Sequence, residues 1–400
     1  MAVGPPSRTA ENPRPFVLKK IAVFTSTRSE YGLLLPLLRR LSADSRFDLD
    51  LLVGGSHLLA TYGQTIDRIK EDGFVIGALM PFLSERPGPH AEATALSTLS
   101  GLLGEHLYRS QPDLLILLGD RYELLAVASV ALVGGIPVAH ISGGDVTEGS
   151  IDNQVRHALT KLSHLHFPAT EAYKRNLIAM GEEEWRICVS GEPGLDEILT
   201  IDLMTKAEVF AELAVPIDRE IAIATFHPET IGNAISPDFI STLIDRLLTR
   251  TPYHLLFTGA NFDPGGDAIN AALENASRNP RVTFVPSLGQ KRYYSAIKYA
   301  AIMIGNSSSG LTEAHSFGLP VLNVGNRQLG RLANANVIHV PLDADAVVKA
   351  IPAALSPAFR TAFSSTGNIY GDGKAVDRIL AFLTQSTPER LLMKRSVFPT

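Results

Sequence analysis

The feature that most limits how this chain can fold is a recurring unit: a short, almost wholly apolar segment that stops at small or polar residues, followed by a longer amphipathic stretch. KIAVFTST, FDLDLLVGG, DLLILLGD (Asp113 to Asp120), IPVAHISGG (Ile136 to Gly144), HLHF near His164 and RICVSGEP (Arg186 to Pro193) form one such series. Near-continuous apolar runs belong to strands covered on both faces, as in parallel sheets, and the helical stretches between them, such as YGLLLPLLRRLSAD, supply the cover. After a polar stretch at 200–219 the rhythm restarts with EIAIATFHPET, HLLFTGAN, VTFVPS, AIMIGNSSSG and PVLNVGN, and helices expected at 344–355 and 374–383 close the chain. The pattern predicts two α/β doubly wound units of similar size, which 400 residues can accommodate. No short-period repeat is present, so a solenoid is excluded. Ligands of open parallel sheets bind beyond the carboxyl ends of the strands, and the cleft between the two units is the expected site.

Other classes fall away on charge and motif. Lys+Arg 36 against Asp+Glu 41 gives a net charge of -5, without the basic excess of a nucleic-acid binder. The single cysteine, Cys188, forms no internal disulfide or thiolate cage and suits a reducing compartment, so a cytoplasmic location is expected. Residues 1–18 are rich in proline and lack an apolar signal core, and they are expected to be a flexible leader. The longest apolar stretch, 124–139, is shorter than the ~20 residues of a membrane span and is cut by Gly134, Gly135 and Pro137. It is expected to be a buried helix, a turn and a strand, with no membrane partner. TSTRSEYG stands where a GxGxxG would follow the first strand, and Walker, HExxH and GxSxG motifs are absent. His and carboxylate residues lack metal-ligand spacing, so neither metal nor cofactor is expected.

The candidate residues stand at strand ends. Arg28 follows the first strand; Asp120 and Arg121 end LLILLGDR; Ser142 and Asp145 end PVAHISGGD, with Asp152 beyond; His227 ends IAIATFHP. In GNSSSGLTE, Ser307 and Ser308 open a helix where anions are favoured, and Glu313 lies one turn on, placed for ribose hydroxyls; Arg327 follows the next strand as a phosphate partner. Plain structural roles compete. Ser307 suits an ordinary N-cap, Asp120 and Asp152 suit helix caps, Glu313 a solvated charge, His227 a satisfied core histidine, and Arg327 a surface ion pair. As catalytic groups, Asp120, Asp145 and Asp152 would divide acid and base work if their environments hold them in different protonation states.

TSTRSEYG, GGSHL, LGDRYE, HISGGDVTEGSIDNQVRHALTKLSH, FHPET, GNSSSGLTEAHSFGLPVLNVGNRQLGR and NIYGDG, in this order, resemble the hydrolysing branch of the UDP-N-acetylglucosamine 2-epimerases, over about 19–383. The resemblance implies a GT-B architecture: a first Rossmann-like domain at 19–200, a second at 201–373, and a C-terminal helix and tail at 374–400 returning to the first. It implies a nucleotide-sugar substrate, with Ser307, Ser308 and Arg327 on the phosphates and Glu313 on the ribose. Arg28, Arg121 and His227 would face the nucleotide sugar, and Asp120 and Asp152 would match family acids. A homodimer or homotetramer is also implied.

One departure stands out. Many hydrolysing relatives read H-I-E-G-G-E or H-I-H-G-G-E, whereas this chain reads HISGGD, with Ser142 in place of an acid or imidazole and Asp145 in place of Glu. Serine is no acid or base near neutral pH, so the role passes to Asp145, Glu148, Asp120 or water. A larger, neutral pocket floor also admits a 2,4-diacetamido-trideoxy sugar as an alternative to N-acetylglucosamine. The implied reaction removes the C2 proton and expels nucleoside diphosphate to give a glycal, then adds water with inversion at C2. Competing readings are a GT-B glycosyltransferase, which needs an acceptor, a nonhydrolysing epimerase, and a silent nucleotide-sugar sensor.

Overall fold

A computed structural model describes residues 19–60, 65–84, 90–148, 150–229, 235–260 and 265–397; the expected leader lies outside these. The first sheet contains β1 (Lys20–Thr25), β2 (Asp48–Gly54), β3 (Ile76–Met80), β4 (Leu114–Leu118), β5 (Val138–Ile141) and β6 (Leu165–Phe167), ordered β3-β2-β1-β4-β5-β6. The second contains β7 (Ile221–Thr225), β8 (His254–Thr258), β9 (Val282–Val285), β10 (Ala300–Gly305), β11 (Val321–Val324) and β12 (Val337–Val340), ordered β12-β11-β10-β7-β8-β9. All pairings are parallel. Read from β9 to β12, the second order repeats the first, so each half is a doubly wound sheet whose strand order reverses once. The reversals lie between β1 and β4 and between β7 and β10, and the candidate residues gather at the carboxyl ends of these strands and of β5 and β11.

Burial follows the apolar runs. LLILL of β4 and IAIAT of β7 are buried throughout, as central strands must be when helices cover both faces. At the second reversal β10 presses on β7 closely enough that a Cβ at Gly305 (φ 148) would stand 2.0 Å from Thr225 O, so only glycine serves there. The 124–139 stretch is a helix, Leu124–Val133, a glycine turn and β5. The polar 200–219 stretch holds a short helix, Lys206–Glu212, opened by a capping box in which Thr205 and Glu208 exchange hydrogen bonds.

The last helices return to the first half. Val376, Ile379, Leu380 and Leu383 of the helix Ala375–Leu383, together with Leu391, share one core with Ile21, Leu38 and Leu51. Arg186, fully buried, donates to Leu391 O and Met393 O at 2.9 Å each, and Lys394 Nζ reaches Ser163 O at 2.6 Å and Glu182 at 2.7 Å. Buried charges held by this many acceptors fasten the tail.

The segment 186–193, expected as a strand, forms only a single bridge, His166 to Ile187. It runs beside β6, with Cys188 N donating to His166 O and Ser190 N to Pro168 O, but Pro168 has no N–H to return and Glu192 N turns to Tyr370 O at 2.8 Å, so no ladder extends. β3 and β12 are additional strands at sheet edges, and each buries only its last residue, Met80 and Val340, without the continuous apolar signature of central strands.

Candidate functional site

The carboxyl ends of the two sheets meet at a seam. Glu148 N donates to Leu329 O at 2.9 Å, Leu332 N donates to Tyr173 Oη at 3.1 Å, and Tyr370 Oη donates to Leu332 O at 2.7 Å. Gly330 (φ 84) lets this loop lie against the first half, since a Cβ there would stand 2.7 Å from Val146 Cγ1.

On the first-half side, β4 delivers Asp120 and β5 delivers Ser142 and Asp145. Asp120 does not cap the next helix, whose cap position is Glu123; its carboxylate pairs with Arg156. Arg156 is 1% exposed and also donates to Asp145 O at 3.1 Å and Thr147 Oγ1 at 3.0 Å, so one guanidinium ties two strand ends together. Asp145 is fully buried and meets Arg331 Nη2 of the second half at 3.3 Å. Burial pushes the Asp145 carboxyl up to about 7, with Arg331 opposing and Glu192 adding repulsion. Ser142 adopts a left-handed backbone (φ 63) and sets its hydroxyl 3.0 and 2.9 Å from the two oxygens of Glu192. Burial also raises Glu192, against the Ser142 hydrogen bond and the charge of Arg331. Asp152 stands partly exposed in the first turn of the helix Asp152–Leu162.

Arg28 is exposed at the start of the helix Arg28–Ala43, while Arg121 Nε donates to Glu123 at 2.6 Å. Beneath them Ser26 Oγ lies 2.7 Å from Glu123 and 3.1 Å from Glu30, both buried. Burial lifts Glu30 to about 7, opposed by the Ser26 backbone N–H, with Glu123 adding repulsion.

On the second-half side, Asn306 organises the site. Fully buried, it accepts from His227 N at 2.7 Å and donates to His227 O at 2.8 Å, while its own carbonyl accepts from Arg327 at 3.4 Å and Gln328 at 3.0 Å. Burial, reinforced by Arg327, holds the His227 imidazole down at about 3, hence neutral. Ser307 occupies the N-cap position of the helix Ser308–Thr312 but makes no side-chain cap, which leaves its hydroxyl for other use. Glu313 is not a solvated charge: Tyr294 Oη donates to it at 2.8 Å and Ser309 Oγ hydrogen-bonds its other oxygen. Burial raises its pKa, opposed by those two bonds.

The structure therefore brings Asp120, Ser142 and Asp145 together with the Arg327 to Arg331 loop, and sets His227 and Arg327 around Asn306. Arg28 and Arg121 stand at the ends of β1 and β4, separate from the Asp145 pair. Sequence inspection missed Arg156, Glu192 and Arg331. Glu192 directly follows the Ser-Gly that ends an apolar run, the same strand-end signature used for the others. Among the described residues no group of three His, Cys, Asp or Glu side chains is placed to hold a metal ion, and no helix is long and apolar enough to cross a membrane. A cavity of about 410 Å³ is lined by residues of both halves that include Leu195, Leu199, His315, Phe363 and Asn368.

Comparison with known proteins agrees with this geometry. The chain is 37% identical over 370 residues to the hydrolysing UDP-N,N'-diacetylbacillosamine 2-epimerase of Legionella pneumophila, covering 92% of this chain and 96% of that protein. It is 35% identical over 322 residues to the hydrolysing GDP/UDP-N,N'-diacetylbacillosamine 2-epimerase of Campylobacter jejuni, covering 80% and 84%. Its fold matches the crystal structure of the UDP-GlcNAc 2-epimerase from Neisseria meningitidis bound to UDP-GlcNAc with a TM-score of 0.79 at 18% identity, over 92% of this chain and 100% of that one. A sequence profile of the UDP-N-acetylglucosamine 2-epimerases matches residues 39–384. With two doubly wound sheets meeting at their carboxyl ends in the GT-B manner, the chain belongs to the UDP-N-acetylglucosamine 2-epimerase family.

Proposed function

We propose that this protein is a hydrolysing 2-epimerase that takes a nucleoside-diphosphate-linked 2,4-diacetamido-trideoxy sugar of the diacetylbacillosamine type, releasing the 2-epimeric free sugar and nucleoside diphosphate. The observation that carries the reading is which groups meet at the seam: Asp120 and Asp145 at the ends of β4 and β5 on the first half, and Ser307, a neutral His227, Arg327 and Arg331 on the second. Elimination across C1–C2 needs a carboxylate at the C2 proton and cations at the departing diphosphate, and the two halves supply one each. Asp120, Asp145 and Asp152 are the acid–base set. Ser307 and Ser308 at a helix start, with His227 and Arg327, hold the diphosphate; Glu313 takes the ribose; Arg28 and Arg121 face the sugar.

Substrate choice rests on the two relatives above 30% identity whose names specify diacetylbacillosamine, and on Ser142, a small neutral residue at the end of β5. UDP-N-acetylglucosamine, the substrate in the family's name, is the second reading. Mass spectrometry of products from a panel of UDP- and GDP-linked amino sugars tests both. Fastest release of the epimer from the diacetamido substrate is the expected result, and equal or faster turnover of UDP-N-acetylglucosamine refutes the substrate choice. Product formed in heavy water must carry deuterium at C2; product without it refutes the mechanism.

A further inference from the structure

Glu192 is partly exposed at the seam and fixed by its own backbone: its N–H donates to Tyr370 O at 2.8 Å, and Gly191 (φ 86) before it would bring a Cβ to 3.1 Å from the same carbonyl. Its carboxyl is faced from several stretches of chain. Ser142 Oγ of the β5 end lies 3.0 and 2.9 Å from its two oxygens. Arg156, Arg331 and Glu313 act on its charge, and it acts on that of Asp145.

The neighbouring acids differ from it in one respect. Asp120 pairs with Arg156 and Asp145 with Arg331, and Asp152 sits in the first turn of a helix, so each has a partner that favours negative charge. Among the described residues Glu192 has no ion pair; it faces a hydroxyl. The Ser142 hydroxyl donates to both of its oxygens, and a neutral donor offsets a buried charge less than a guanidinium does. Burial and the charge of Glu313 disfavour its ionised form, against the Ser142 hydrogen bond and the charges of Arg331 and Arg156, and environments that push neighbouring acids apart separate acid from base.

We propose that Glu192, presented by Ser142, is the proton-bearing carboxyl of the site and delivers the new proton to C2 when the glycal is hydrated. This rests on the reaction proposed above. In the first step a carboxylate of the Asp120, Asp145 and Asp152 set takes the C2 proton, the C1–O bond breaks, and its electron pair leaves with the diphosphate. In the second, Glu192 gives its proton to C2 while the oxygen of water bonds to C1. The proton shed by that water restores Glu192, and the proton taken first passes to solvent.

The test begins with the unaltered enzyme on the nucleotide-linked diacetamido sugar. Absence of nucleoside diphosphate and epimer at this stage defeats the reaction itself and leaves Glu192 out of the matter. Given turnover, Glu192→Gln is expected to release nucleoside diphosphate within about tenfold of the parent rate, while epimer formation falls about 100-fold, the usual worth of a positioned acid. The sugar product then becomes the glycal, lighter than the epimer by one water. Glu192→Asp is expected to restore most of the epimer, and Ser142→Ala to raise the ratio of glycal to epimer at least about fivefold. Glu192→Gln that forms epimer within threefold of the parent overturns the proposal, as does a folded Glu192→Gln in which diphosphate release and epimer fall together. Should Glu192→Gln fail to fold, an unchanged glycal ratio in Ser142→Ala overturns it instead.

Discussion

Neutralising Asp145 should remove activity and stabilise the protein, and the gain should grow with pH. Asp145 is 0% exposed, and its carboxyl is raised by burial from 3.8 to about 7, Arg331 included. Below about pH 3.8 the group is neutral both folded and unfolded, so its burial costs nothing electrostatically. Between that pH and about 7, folding must take up a proton, and above 7 it must bury a charge, so stability is progressively lost as pH rises. At about 1.4 kcal/mol per unit, the charge costs about 2 kcal/mol at pH 5 and about 4 kcal/mol at pH 8. Asparagine copies the neutral acid in shape and keeps an oxygen to accept from Arg331. Asp145→Asn should therefore raise the free energy of unfolding by roughly those amounts, with the difference between pH 5 and pH 8 near 2 kcal/mol. Urea titrations at the two pH values, followed by a signal from the first half, measure it. A variant that is no more stable than the parent at pH 8, or whose advantage does not grow from pH 5 to pH 8, refutes the argument that Asp145 is held in an unfavourable charge state. The same substitution should cut turnover at least about 100-fold, which is the usual exchange of stability for function at such a site.

Three further outcomes are expected. Arg156→Met removes the cation opposite Asp120 and the donors to Asp145 O and Thr147, so unfolding should cost about 3 kcal/mol less in urea and turnover should fall about 100-fold; a change below about 1 kcal/mol would show that these buried bonds carry little. Ser307→Ala should leave the unfolding midpoint unchanged, because its hydroxyl caps nothing, yet weaken UDP binding about tenfold by calorimetry, the value of one hydrogen bond to a charged group. Gly330→Ala combines φ 84 with a Cβ 2.7 Å from Val146, so it should part the seam, visible as a larger radius of gyration in solution scattering together with lower kcat/KM; an unchanged scattering profile would refute the tight packing described there.

The central strands of both sheets were legible because burial on both faces demands continuous apolar residues, and β4 and β7 show that plainly. β3 and β12 were not, because an edge strand needs only one covered face and its apolar residues thin out accordingly. The segment 186–193 misled for the opposite reason. Its apolar start reads as a strand and lies beside β6, but Pro168 has no N–H to return and Glu192 turns to Tyr370, which lies far along the chain.

The same distance explains the site. Strand-end polar residues can be picked out one by one, since the reversal of strand order in a doubly wound sheet says where ligands bind. What a single residue cannot disclose is its partner. Asp120 reads equally as a helix cap until Arg156 is seen against it, and Glu313 reads as a surface charge until Tyr294 and Ser309 enclose it. Arg331 is four residues beyond the arginine that motif inspection selected, and only the seam, where Gly330 lets the loop touch Val146, decides that Arg331 meets Asp145. Partnership across the seam also sets the chemistry. An acid paired with a guanidinium and an acid paired with a hydroxyl hold their protons differently, although both are written as carboxylates at the end of an apolar run. The sequence pattern thus locates the acids, and the meeting of the two halves assigns their protonation.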